Sequence, residues 1–199
     1  MKKIAQISSI LLLTMMLPLG TVKADLLIPF KIKPLKKNSF VVQVTSIDYK
    51  STCYLKDGNN HILYQENIET GQPYERSFNL IELPDGKYEM VIDDVFKTRI
   101  TQINKIQGVV IANDEIIETT YKPQVIMKEE RLTVSLLALK KESLNIELYD
   151  ANDVLIFKDT LSGSQNLGKK FDLSQLTAGV YKISLITPKN AYLEYITLN

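Results

Sequence analysis

The chain has one cysteine, Cys53, one histidine, His61, and no tryptophan. A single cysteine excludes an internal disulfide, so stability must come from apolar cores; domains of about 85–90 residues achieve this without covalent staples. Cys53 falls in a β-patterned run and reads as a small buried hydrophobe rather than a reactive thiol. A lone histidine with no spaced Cys, His or carboxylate around it offers no metal-ligating or catalytic pattern, and His61 reads as a surface residue of a strand or turn. Basic and acidic residues nearly balance, 24 against 23. That leaves no basic excess for nucleic acid or an anionic membrane surface. There is no Gly-x-Ser-x-Gly elbow, no P-loop and no dinucleotide fingerprint. These absences imply no enzyme, no catalytic residues, no metal and no cofactor.

Only one long apolar run is present, and it opens the chain. Lys2 and Lys3 precede a mostly apolar stretch from Ile4 to Leu19, and Val22-Lys23-Ala24 supplies a small-x-small cleavage pattern before Asp25. Residues 1–24 therefore read as a cleaved secretory signal peptide. As a membrane span the run is short and is interrupted by Gln6, Ser8 and Ser9. Cleavage removes three lysines and no acid, which takes the formal charge from +1 to −2. With no cysteine at the new N-terminus, no lipid anchor is expected. The mature chain is predicted to be exported, with a periplasmic, cell-surface or extracellular location and no integral membrane segment.

What the mature chain does contain is a repeat with a period of 93 residues. Phe78-Asn79-Leu80-Ile81-Glu82-Leu83-Pro84-Asp85-Gly86-Lys87-Tyr88 returns as Phe171-Asp172-Leu173-Ser174-Gln175-Leu176-Thr177-Ala178-Gly179-Val180-Tyr181. Leu55-Lys56-Asp57-Gly58-Asn59 returns at the same offset as Leu148-Tyr149-Asp150-Ala151-Asn152. A period of this length exceeds a solenoid unit and matches a small domain. Two domains are predicted, residues 25–118 and 119–199. Residues 107–118 have no counterpart in the second copy and read as an extra strand or a linker.

Both copies are patterned as strands. Ser39–Thr45, His61–Tyr64, Lys87–Ile92 and Lys97–Ile103 belong to the first; Leu132–Leu139, Leu144–Tyr149, Val154–Lys158, Val180–Ile186 and Tyr192–Leu198 belong to the second. Short β-rich runs divided by turn residues at roughly 8–12-residue spacing predict an all-β fold of two tandem sandwiches. Asp57–Asn60 and Asp150–Asp153 carry the Asp and Asn residues that tight turns favour. They lack the spaced ligands and distal Glu of a calcium loop. Asp93-Asp94 read as a strand end entering a turn, and Leu173–Leu176 as a single turn.

Leu-x-x-Gly-x-Tyr occurs twice, at Leu83, Gly86 and Tyr88 and at Leu176, Gly179 and Tyr181. It resembles the tyrosine corner of immunoglobulin-like and fibronectin type III sandwiches, in which a strand-F Tyr hydroxyl bonds backbone upstream. Without tryptophan or a cysteine pair, an antibody-type domain is not expected. The stretch Phe171–Leu185, close to the end of the chain, is similar to the C-terminal sorting domains of proteins exported by the type IX system of Bacteroidetes. The whole chain resembles small secreted Bacteroidetes proteins built from such sandwiches. The resemblance implies type IX cargo with a C-terminal sorting domain.

The leading expectation is a non-enzymatic structural, adhesive or protein-binding module of the envelope, with an envelope or surface protein as partner. A carbohydrate-binding module is the alternative from another class. For it, Tyr49, Tyr54, Tyr64, Tyr74, Tyr149, Tyr192 and Tyr195 would have to form an exposed face, whereas Tyr is also a common strand residue. Two apolar stretches, Leu26–Phe30 and Gly108–Ile111, could offer edges to a partner strand. His61, Cys53 and Arg99 do not recur: Val154, Ile146 and Tyr192 stand in their places. The repeat thus conserves scaffold, and specific function is expected where the copies differ.

Overall fold

A computed structural model describes residues 30–45 and 47–199, apart from the side chains of Asn113 and Asp114. The expected signal peptide and the edge stretch Leu26–Pro29 lie outside the described residues. Fifteen strands and no helix make up the described chain.

The first sandwich pairs β1 (Phe30–Pro34), β2 (Ser39–Val44) and β5 (Tyr74–Asn79) in the order β1-β2-β5. Its second sheet contains β3 (Ser51–Asp57), β4 (Ile62–Ile68), β6 (Gly86–Asp94), β7 (Lys97–Ile106) and β8 (Val109–Tyr121), in the order β4-β3-β6-β7-β8. The second sandwich repeats the plan. β9 (Gln124–Lys128), β10 (Arg131–Leu137) and β13 (Asn166–Asp172) form one sheet in the order β13-β10-β9. β11 (Leu144–Tyr149), β12 (Leu155–Leu161), β14 (Gly179–Ile186) and β15 (Ala191–Leu198) form the other, in the order β12-β11-β14-β15. All pairings are antiparallel. The fold class is therefore all-β, with two sandwiches of fibronectin-like sheet order.

Period-2 patterning sets each core. In β10, Leu132, Val134 and Leu136 point inward; in β6, Tyr88, Met90 and Ile92 do so. Each set joins its own buried cluster, one centred on Phe40, Met90, Ile92 and Ile103, the other on Leu132, Ile146, Ile183 and Leu185. Even the irregularities repeat. A register shift falls between Leu55 and Lys56 in the first copy and between Leu148 and Tyr149 in the second, 93 residues on.

The copies part company at β8. A two-residue loop, Gln107-Gly108, with φ of 49° and 71°, folds β8 back on β7. Positive φ at both positions is the type I′ hairpin pattern. β8 pairs with β7 through Tyr121, so the strand runs across Glu118, the position at which the second domain is expected to begin. A two-residue excess in β8 between Ala112 and Ile116, opposite Thr101–Ile103, bends it midway. In the second sandwich β15 pairs with β14 alone and forms the sheet edge among the described residues.

Candidate functional site

The residues that recur hold the scaffold in the same way twice. The Tyr88 hydroxyl donates to the Pro84 carbonyl at 2.6 Å, and the Tyr181 hydroxyl to the Thr177 carbonyl at 2.8 Å. Leu83 N–H donates to Leu80 O at 3.0 Å and Leu176 N–H to Leu173 O at 2.9 Å, closing the single turn before each motif. Leu83 and Leu176 pack half-buried on their respective cores. Burial raises the Tyr88 phenol above its ordinary value, with Asp57 and Asp85 adding to the effect. Gly86 has no positive φ, and a Cβ there would meet nothing within 4 Å, so its strand entry does not sterically demand glycine.

The acidic turns are equally matched. Asp57 Oδ1 accepts from Asn59 N–H and His61 N–H, both at 2.9 Å; Asp150 Oδ1 accepts from Asn152 N–H at 2.8 Å and Val154 N–H at 2.9 Å. The left-handed residues are Asn60 (φ 67°) and Asp153 (φ 60°). The Asp57 and Asp150 carboxylates thus satisfy turn backbone. Among the described residues no group of His, Cys, Asp and Glu is arranged to hold a metal ion. His61 is exposed, and its ring Nδ1 lies 3.1 Å from Asp57 Oδ2.

The tyrosines do not share one face. Tyr64 and Tyr74 pack half-buried on the first core from opposite sheets, and their hydroxyls converge on Glu66 Oε2 at 2.7 and 2.9 Å. The Tyr64 bond comes first among the causes that hold the Glu66 carboxyl below its usual range. Tyr192 packs half-buried on the second core. Tyr49 lies edge-on to Phe96 at 4.5 Å. Tyr149 and Tyr195 flank Lys182 across β11-β14-β15, with the Lys182 ammonium 4.7 Å from the Tyr149 ring. Cys53 is fully buried against Met90, 3.3 Å from sulfur to sulfur, and burial pushes its thiol up to about 12.

Three buried polar groups that differ between the copies lie on the inner face of β7. Arg99, Thr101 and Lys105 are buried there, where the second copy has Tyr192, Glu194 and Leu198. The Lys105 ammonium donates to the carbonyls of Leu80, Leu83 and Ile81, the first at 2.9 Å, the second at 2.5 Å and the third at 3.3 Å. Arg99 lies beside Asp94 at 3.5 Å. Nothing in the alternation of β7 distinguished these positions; only their failure to recur, noted for Arg99, marked them.

Comparisons with known proteins bear on the second sandwich most directly. Residues 128–198 match a family model described as the secretion system C-terminal sorting domain. No curated protein matches the chain. Among solved structures, the BSP domain of a biofilm associated protein aligns at 12% identity over 84% of this chain and 29% of that one, with a TM-score of 0.30. The FN1–FN3 domains of chicken CNTN1 align at 9% identity over 85% and 63%, with a TM-score of 0.30. A β-glucuronidase of Ruminococcus gnavus aligns at 11% identity over 81% and 36%, with a TM-score of 0.29. The chain thus spans under a third of the first and less than two thirds of the second. Residues 128–198 of the second sandwich thus match a type IX secretion C-terminal sorting domain, which indicates export to the cell surface or the extracellular space.

Proposed function

We propose that the protein is a type IX cargo in which the second sandwich carries the sorting signal and the first is the module delivered. The first sandwich then acts at the cell surface or beyond it as a non-enzymatic adhesive or protein-binding unit. The observation that carries the sorting half is the family match over residues 128–198. The binding half is supported by the division within the repeat. Recurring residues serve turns and cores, and the groups peculiar to the first copy (Arg99, Thr101, Lys105) cluster on one strand face. Fold alone does not assign a partner.

The sorting half is tested by transplantation. Residues 119–199 are fused behind a periplasmic reporter in a host with a type IX system. Appearance of the reporter on the surface or in the medium is expected, and it should depend on that system. A reporter that stays periplasmic, while a fusion to an authentic cargo's sorting domain is released, would overturn the assignment.

A further inference from the structure

Arg99 is a guanidinium without enough acceptors. Its residue is only 8% exposed, on the inward face of β7. A guanidinium carries five N–H donors. Among the described residues its one hydrogen bond runs from Nη2 to Asp94 Oδ2 at 3.5 Å, the outer limit of such a bond. Its Nε is buried with no partner. Asp94 is engaged elsewhere: its Oδ1 accepts from the N–H groups of Phe96 and Lys97, both at 2.8 Å, which fixes the β6–β7 turn. A buried charge left short of acceptors is costly unless something else supplies them.

Arg99 also lines a cleft of about 250 Å³ at the end of the first sandwich. Tyr49, Phe96 and Tyr121 contribute its aromatic walls, and Lys97 adds a second cation. The walls are ordered by their own contacts. Tyr49 and Phe96 meet edge to face, and the Lys97 ammonium stands 6.0 Å from the Tyr121 ring. Ser51 Oγ, at the base, donates to the Tyr49 carbonyl at 2.8 Å. Asp94 and Asp48 border the cleft as well, so its charge is balanced rather than strongly positive. That balance disfavours a multiply charged anion such as phosphate and suits a single carboxylate, whose two oxygens match the guanidinium fork.

The second copy abolishes this chemistry while keeping the scaffold. Tyr192, Thr187, Leu144 and Glu142 stand where Arg99, Asp94, Ser51 and Tyr49 do. Tyr192 packs on the core there, and Leu144 is fully buried.

We propose that this cleft is a binding site for a carboxylate borne on an aromatic or apolar body, either a small organic acid or the free C-terminus of a peptide. The carboxylate engages Arg99, and the body lies against Tyr49, Phe96 and Tyr121. The proposal deepens the reading of the first sandwich as the delivered binding module. It is independent of sorting, so its failure leaves the reporter experiment above unaffected.

The mature chain is titrated with phenylacetate, with phenylacetamide, and with the peptide Ala-Ala-Ala-Phe as free acid and as amide. Binding is followed by NMR, in the parent through the Arg99 Nε–H resonance and in the parent and every variant through the ring resonances of Phe96 and Tyr121. Saturable shifts with both acids are expected, with binding weaker by roughly 10- to 100-fold for each amide, as for loss of a charge-assisted hydrogen bond. Tighter binding of the peptide acid assigns a peptide C-terminus; tighter binding of phenylacetate assigns a small acid. Arg99→Gln should lose binding and Arg99→Lys should weaken it. Tyr49→Ala, at a half-exposed position outside the core, should weaken binding several-fold without unfolding the protein. The proposal is overturned if acid and amide bind alike, if no saturable shift appears, or if folded Arg99→Gln or Tyr49→Ala binds as the parent does.

Discussion

Two hydroxyl groups and one thiol test the packing at the finest scale. The Tyr88 and Tyr181 hydroxyls each reach a backbone carbonyl four residues upstream. Removing either leaves a carbonyl short of a donor near the core edge. Tyr88→Phe and Tyr181→Phe should therefore each cost about 1–2 kcal/mol in a denaturant melt, and unchanged midpoints would mean that the corner bonds contribute nothing. Cys53 makes a pH prediction. Burial raises its thiol from 9.0 to about 12. A folded value above the unfolded one means that the neutral thiol stabilises the native state fully below about pH 9, and that this contribution is lost as pH rises toward 12. Stability measured at about pH 8 and pH 10.5 should fall more steeply in the parent than in Cys53→Ala, in the interval set by that shift. The difference between the two proteins removes the background of tyrosine and lysine titration. Equal slopes would place the thiol in contact with solvent.

At the scale of elements, the loop before β6 is held differently in the two sandwiches. In the first, buried Lys105 reaches from β7 to three carbonyls of residues 80–83. In the second, Leu198 occupies that position and is buried in the core. Lys105→Met keeps the apolar stem and strands the carbonyls, so it should destabilise by about 2–3 kcal/mol, measured by urea unfolding. A neutral result would show that water replaces the ammonium. The same scale shows how far the sequence could be read. β10, β11 and β14 carry strong apolar alternation, and they and β15 lie within two residues of where the pattern places them. β5 and β13 left little trace. They are edge strands; β5 buries only Phe78 and β13 only Leu167, while Gly168, Lys169 and Lys170 break any apolar period. β1 and β9 are short, and β1 ends on Pro34. The acidic turns were legible because Asp and Asn are chosen for backbone reasons. The Arg99 cleft was not, because it joins residues of the β2–β3 loop, the β6–β7 turn and the far end of β8. No local spacing encodes that meeting.

At the scale of the molecule, one scaffold stands twice with different additions. The first sandwich has β8, which covers the β7 edge, and it encloses cationic groups that the second lacks. The second leaves β15 at the sheet edge and carries the sorting-domain match. Their connection is compact. The Glu118 carboxylate meets Lys140 at 3.3 Å and also contacts Lys189, and Lys122 meets Asp93 at 2.8 Å. The Lys189 bond leads the causes that hold Glu118 below the usual carboxylate range. Lys140 and Lys189 are exposed, so Glu118→Gln should change stability by less than about 1 kcal/mol, as read by thermal unfolding; a larger loss would mean that the two sandwiches unfold as one unit. The proposed division of labour is tested most directly by truncation after Tyr121, which keeps β8 and every member of the first core. Expressed from its own gene in a type IX-competent host, the full chain should reach the surface or the medium while the truncated chain accumulates, folded, in the periplasm. Release of the truncated chain at the level of the full chain would contradict the account.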